Sequence, residues 1–172
     1  MLARFFSRRT LLADRLLHAT PASLGMEARG VTFPSRGGAA LAGWLLPGRK
    51  RGTIVLCSGN SGNVSAHLEY ARIAAATGYS VLCFDYRGFG RSGGEPDLRH
   101  VAADALAACV FARSLSPDDP VGAFGLSLGA GAALLAAAGG LRRCSSDHLR
   151  RGAFARVDTG MLAGAGSSAA RS

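Results

Sequence analysis

Lysine is almost missing from this chain. Of its 20 basic residues only Lys50 is not arginine, and the formal charge of +9 is unevenly placed. Residues 1–20 hold four arginines and one aspartate, residues 139–172 six arginines and two aspartates, and the 118 residues between them ten basic and eight acidic groups. A body so nearly balanced, with its basicity at the ends, excludes a nucleic-acid partner as the main function. Metal-ligand spacing is lacking as well. His18, His67, His100 and His148 are far apart in sequence with no H-x-x-x-H pair and no acidic cluster beside them, so no metal site is expected. Cys57, Cys83, Cys109 and Cys144 contain no C-x-x-C pair. The first two fall in apolar runs, where a free thiol behaves as a small hydrophobe, and this implies a reducing, cytoplasmic setting. No apolar run is long and charge-free enough to span a bilayer. The stretch Ser7-Arg-Arg-Thr-Leu-Leu12 has the look of a twin-arginine export signal, but Asp14, Arg15 and His18 interrupt the apolar segment such a signal needs.

What is present is a chain with 48% hydrophobic residues and a mean hydropathy of +0.19, enough for one buried core. Short apolar runs predict strands over 30–34, 40–46, 53–58, 79–84 and 120–125, with helices over 66–77, 97–115 and 128–138 between the later ones. Strand, glycine loop and helix recur in that order, which is the signature of βαβ units and a mostly parallel sheet flanked by helices, an α/β fold. Pro96 is expected as the entry residue of the helix over 97–115. Val101, Leu106, Val110, Phe111 and Leu115 are expected to form its buried stripe, with His100 and Asp104 facing solvent. Residues 1–20 carry Leu2, Phe5, Phe6, Leu12, Leu16 and Leu17 at near-helical spacing between arginines. They read as an amphipathic helix, either packed on the domain or making a peripheral contact with a membrane surface.

The chemistry points to one pentapeptide, Gly125-Leu126-Ser127-Leu128-Gly129, set between the apolar run Val121 to Phe124 and an alanine-rich helical stretch. A serine there tops a sharp strand-to-helix turn, and the flanking glycines are required because side chains would strike neighbouring backbone. Two further strands empty into loops of the same kind. Thr53-Ile-Val-Leu-Cys-Ser58 leads to Gly59-Asn-Ser-Gly-Asn63, and Ser80-Val-Leu-Cys-Phe-Asp85 leads to Tyr86-Arg-Gly-Phe-Gly-Arg-Ser-Gly-Gly94. The second loop contains Gly88-Phe-Gly-Arg-Ser-Gly93, which satisfies the dinucleotide fingerprint G-x-G-x-x-G. That fingerprint must close a strand and open a helix at once, whereas here Asp85-Tyr-Arg precedes the glycines and Gly94-Glu-Pro96 follows them. A nucleotide cofactor is therefore not expected. Asp85 and Arg87 are read as a pair bracing the loop, and His67 as a surface or capping residue.

Taken together, the three ordered motifs resemble the α/β-hydrolases, and within them an esterase and thioesterase-like branch with a His-Gly-Asn-Ala-Gly-Asn loop and an Asp-Tyr-Arg-Gly-x-Gly-x-Ser-x-Gly loop. Val31-Thr-Phe-Pro-Ser35 and Leu41-Ala-Gly-Trp-Leu-Leu-Pro47 are similar to that branch's opening hairpin, and the resemblance covers roughly residues 20 to 140. It implies that Ser127 is a nucleophile toward esters, thioesters or amides. It further implies that the backbone N–H groups of Asn60 and Leu128 form an oxyanion hole, with Gly125 and Gly129 shaping the elbow. Ser58 stands where relatives carry histidine.

The resemblance breaks after the nucleophile. In the family the triad acid and base follow the serine on loops after two later strands. Here 45 residues follow Ser127, holding one histidine, His148, and two acids, Asp147 and Asp158. Arg142-Arg-Cys-Ser-Ser-Asp-His-Leu-Arg-Arg151 cannot be a buried strand without stranding its charges, so His148 is not assigned as the base. Yet 152–162 is similar to the loop that follows such a strand in relatives, which a frame-shifted stretch in a truncated product would explain. The expected organisation is an N-terminal helix over 1–20, the front of a hydrolase core over 21–140, incomplete after the nucleophile helix, and an irregular or disordered basic tail over 141–172. Two functions stay open: a serine hydrolase acting on a small acyl substrate, or a non-catalytic remnant or binding module without the triad acid and base. In either case the strand before Ser127 is left as an exposed sheet edge, prone to self-association.

Overall fold

The structure is a computed structural model that describes residues 11–147, with backbone alone for 140–147. Among the described residues seven strands and three α-helices follow one another: β1 (Leu12–Ala13), β2 (Arg29–Pro34), β3 (Ala40–Leu46), β4 (Thr53–Cys57), β5 (Ser61–Gly62), α1 (Leu68–Ala75), β6 (Ser80–Phe84), α2 (Val101–Leu115), β7 (Val121–Gly125) and α3 (Leu128–Asp147). The main sheet has the order β2-β3-β6-β4-β7. The β2–β3 hairpin and the β3–β6 pair are antiparallel, while β6, β4 and β7 run parallel. The five strands of this sheet fall where the apolar runs predict them.

Alternation along the strands divides the core into two layers. Val55 and Cys57 of β4, and Leu82 and Phe84 of β6, join the cluster that includes Val101, Ala105, Ala108 and Ala112 of α2 and Ala132, Ala133 and Ala136 of α3. Ile54 and Leu56 of β4, and Val81 and Cys83 of β6, point the other way, toward Leu68 and Ala71 of α1. All five residues of β4 are buried. This double-sided burial is why its sequence reads as a continuous apolar run with no polar alternation.

The α2 helix turns differently from the expected stripe. Its buried residues are Val101, Asp104, Ala105, Ala108, Cys109 and Ala112, whereas Val110 and Leu115 are exposed. Small side chains face the sheet and let the helix approach closely, and Asp104 is fully buried because Arg87 meets it there. Pro96 stands before the helix and not within it: Asp97, in extended conformation, caps a short 3-10 turn by accepting the Arg99 N–H, and α2 begins at Val101.

Two boundaries also change. Residues 11–17 are not helical: Leu12–Ala13 form a strand parallel to β5, and Leu16 and Leu17 are exposed. Hydrogen bonds from the loops beneath this segment hold it in place. The remainder of the expected N-terminal helix, 1–10, lies outside the described residues. At the other end α3 runs to Asp147, so the start of the expected irregular tail is helix backbone; 148–172, with His148 and Asp158, lie outside the described residues. Among the described residues β7 pairs only with β4 and is therefore an edge strand, with Phe124 42% exposed.

Candidate active site

Ser127 sits between the end of β7 at Gly125 and the start of α3 at Leu128, with φ of +51°. It is the single non-glycine residue with positive φ among the described residues. A left-handed backbone at a serine costs energy, and the surroundings hold it. Leu126 N–H donates to Cys57 O at 3.1 Å, while Gly129 N–H and Ala130 N–H donate to Leu126 O and Ser127 O at 2.8 and 2.9 Å. The glycines make this possible. A Cβ on Gly125 would lie 2.2 Å from Gly129 O, and one on Gly129 would lie 2.0 Å from Cys57 O. The Ser127 side chain is left exposed at the carboxyl edge of the sheet, at the amino end of α3. There the helix dipole favours developing negative charge.

The loop after β4 comes to the same edge. Gly59 packs against the elbow, with an added Cβ falling 3.6 Å from Leu126 O and 3.8 Å from the Ser127 Cβ. Asn60 follows directly in the chain. Ser58 is buried, and its carbonyl accepts the Tyr86 hydroxyl at 3.4 Å.

The loop after β6 braces this edge from the side. Asp85 and Arg87 both act in it, though not on each other. Asp85 Oδ1 accepts the Val64 N–H at 2.7 Å. Burial pushes the Asp85 carboxyl above its usual range, against the pull of the Val64 and Arg91 N–H groups. Arg87 instead reaches Asp104, with its Nη2 2.6 Å from Oδ1 and its backbone N–H 3.1 Å from Oδ2. It also donates to Ser35 Oγ and Arg36 O. In the glycine motif of this loop, Gly88 N–H closes back onto Gly93 O at 3.0 Å and Gly90 presses on the Asp85 carboxylate. A pyrophosphate would meet that anion.

The described histidines are engaged elsewhere. His18 Nε2 contacts Asp14 Oδ2, His67 Nε2 lies 2.9 Å from Ser61 O, and His100 Nδ1 lies 3.1 Å from Asp97 Oδ2. Among the described residues no cluster of three or more His, Cys, Asp or Glu side chains could hold a metal ion.

A strained, exposed serine thus stands at a sharp strand-to-helix turn beside a glycine-rich loop, at the carboxyl edge of the sheet. Residues 48–149 match the family model described as serine aminopeptidase, S33. The chain belongs to this α/β-hydrolase family. An uncharacterized protein of Mycobacterium tuberculosis is 39% identical over 111 residues, which are 62% of this chain and 40% of that one. The protein YfhR of Salmonella typhi, also uncharacterized, is 34% identical over 141 residues, 77% of this chain and 47% of that one. The lysophosphatidylserine lipase ABHD12 of Gallus gallus is 35% identical over 121 residues, 67% of this chain and 29% of that one. Among solved structures, the esterase Pf2001 of Pyrococcus furiosus superposes with a TM-score of 0.64 at 25% identity, over 76% of this chain and 52% of that one. This hydrolase chain thus spans about half the length, or less, of the relatives it matches. No described helix is long and apolar enough to cross a membrane.

The sequence missed three of the residues that hold the site. Ser35 and Asp104 carry no local mark of their partnership with Arg87, which lies 52 and 17 positions away. Asn63 was visible only as part of a glycine-rich loop, although its side chain is 2% exposed and fully engaged.

Proposed function

We propose that this chain carries the nucleophile of a serine hydrolase that cleaves an ester, thioester or amide. Ser127 Oγ attacks the acyl carbon. Its proton passes to a general base and from there to the departing alcohol, thiol or amine, and water then releases the acid from the acyl-serine. The N–H groups of Asn60 and Leu128 face the oxygen that becomes negative, and two fixed amide dipoles there stabilise the tetrahedral intermediate. The observation that carries this reading is the positive φ of an exposed Ser127 at the junction of β7 and α3. The resemblance to an esterase and to a lysophosphatidylserine lipase supports an acyl ester as substrate. The test is labelling by a fluorophosphonate probe: the adduct is expected on Ser127 and lost in Ser127→Ala. An adduct on another residue, or none, overturns the reading.

A second reading is favoured by the open edge of β7 and by the absence, among the described residues, of a histidine contact to Ser127. In it the 172-residue chain is a non-catalytic module that pairs with a second copy along β7, covering Phe124 and the exposed Leu134 and Leu135 of α3. Ester turnover abolished by Ser127→Ala, or a monomer in light scattering at tens of micromolar, rules it out.

A further inference from the structure

The segment Leu11–His18 crosses both glycine-rich loops, and one buried side chain binds it twice. Asn63 Nδ2 donates to Asp14 O at 3.1 Å and to Leu16 O at 2.5 Å. Asn63 Oδ1 accepts from Ser65 N–H at 2.9 Å and Ser65 Oγ at 2.5 Å. The orientation of the amide follows from its partners, since the reverse would set its oxygen against two carbonyls. Every donor and acceptor direction of this buried side chain is therefore used.

Around it the crossing segment is fixed at further points. Leu12 N–H donates to Asn60 Oδ1 at 3.2 Å, and Leu12–Ala13 lie in register beside Ser61–Gly62. His18 N–H donates to Ser65 Oγ, and Gly90 N–H to Asp14 O at 2.8 Å. Arg15 reaches the carbonyls of Ser92 and Gly94. Leu11, buried in the core beside the sheet, anchors the start.

We propose that Asn63 is a positioning residue for the oxyanion hole. Through its carboxamide it locks the Asn60-bearing loop to residues 14–16, so that Leu11–His18 is part of the scaffold that aims the Asn60 N–H. The proposal rests on the hydrolase reading above. Gly59-Asn-Ser-Gly62 has little side-chain bulk to pack, and Gly62 takes a φ of +75°. Such a loop keeps its shape by hydrogen bonds, and a donor displaced by about 1 Å loses on the order of 100-fold in rate.

The experiment compares Asn63→Ala with Leu12→Pro in the full chain by amide hydrogen exchange and by the rate of fluorophosphonate labelling. Leu12→Pro removes the N–H given to Asn60, at a residue that is 62% exposed, and so remains informative where Asn63→Ala fails to fold. Exchange at 60–62 and 12–16 is expected to rise at least 10-fold while β4 and β6 keep their protection. Labelling of Ser127 is expected to slow at least 10-fold at saturating probe, with the half-saturating concentration unchanged. Unaltered exchange at 60–62 overturns the bracing, and faster exchange with unaltered labelling overturns the positioning role. A wild-type chain that never labels overturns the hydrolase reading and the catalytic part of this proposal with it, while exchange still decides the bracing.

Discussion

Gly129 stands directly against the backbone oxygen of Cys57: a Cβ added to it would come within 2.0 Å of that oxygen and 2.5 Å of Ser58 O. The first turn of α3 is thereby seated on the end of β4, where the Gly59–Asn63 loop begins. Two elements far apart in sequence are held in register by the absence of one carbon atom.

Gly129→Ala must push the elbow away from β4, since no Cβ sits so close to backbone oxygen. The expected outcome is a loss of Ser127 labelling of about 100-fold or more and a destabilisation of about 1–3 kcal/mol by urea denaturation. Gly131→Ala is the control. A Cβ at Gly131 meets nothing within 4 Å, and alanine in a helix is favoured over glycine by about 0.5–1 kcal/mol, so this variant should label normally and be slightly more stable. Equal behaviour of the two variants would show that the contact does not matter.

Arg87 and Asp104 form a buried ion pair, 7% and 0% exposed, which ties the loop after β6 to the first turn of α2. Asp104→Ala leaves a guanidinium desolvated without its anion, a change expected to cost about 3–5 kcal/mol. Asp104→Asn, which keeps a hydrogen-bond acceptor but loses the charge, should cost less. The apolar double variant Arg87→Met with Asp104→Leu should recover much of the loss, because it also removes the desolvation cost. Urea midpoints of the three variants check the order, and a cost below about 1 kcal/mol for Asp104→Ala would contradict it.

How far the sequence carried this picture follows the range of the forces involved. The five strands of the sheet and the elbow were legible because their causes are local: apolar runs between glycine loops, and glycines needed within two residues of Ser127. The face of α2 was misread because hydropathy assigns an aspartate to solvent. Asp104 is inside only because Arg87 crosses from another element. The leucines at 12, 16 and 17 were misread for a related reason. Their spacing suits a helix, but the carbonyls of Asp14 and Leu16 are claimed by Asn63, and no sequence window that short contains both ends of those bonds. Asn63 itself went unremarked since an asparagine in a glycine loop is ordinarily a turn residue.

Three buried thiols give the fold a pH dependence of definite sign. Burial pushes Cys83 and Cys109 up to about 12 from an ordinary value of 9.0, and Cys57 higher still. Below about pH 8 the thiols are protonated in both the folded and the unfolded chain, and they add nothing to the pH dependence. Above pH 9 the unfolded chain releases their protons while the folded chain retains them, so stability falls as pH rises, by about 1.4 kcal/mol per pH unit for each thiol fully in that window. The loss from Cys83 and Cys109 levels off near pH 12. Urea midpoints between pH 7 and 10.5, measured in a Cys144→Ser background, should be flat at first and then decline. Cys109→Ala should decline less steeply whatever its midpoint at neutral pH, because one of the retained protons is gone. The same burial predicts that Ellman's reagent at pH 8 reacts with the three thiols slowly in the native chain and rapidly in urea. A native chain whose thiols react at the unfolded rate would place these cysteines at the surface, and with Cys57 and Cys83 the strands β4 and β6 on which the candidate site is built.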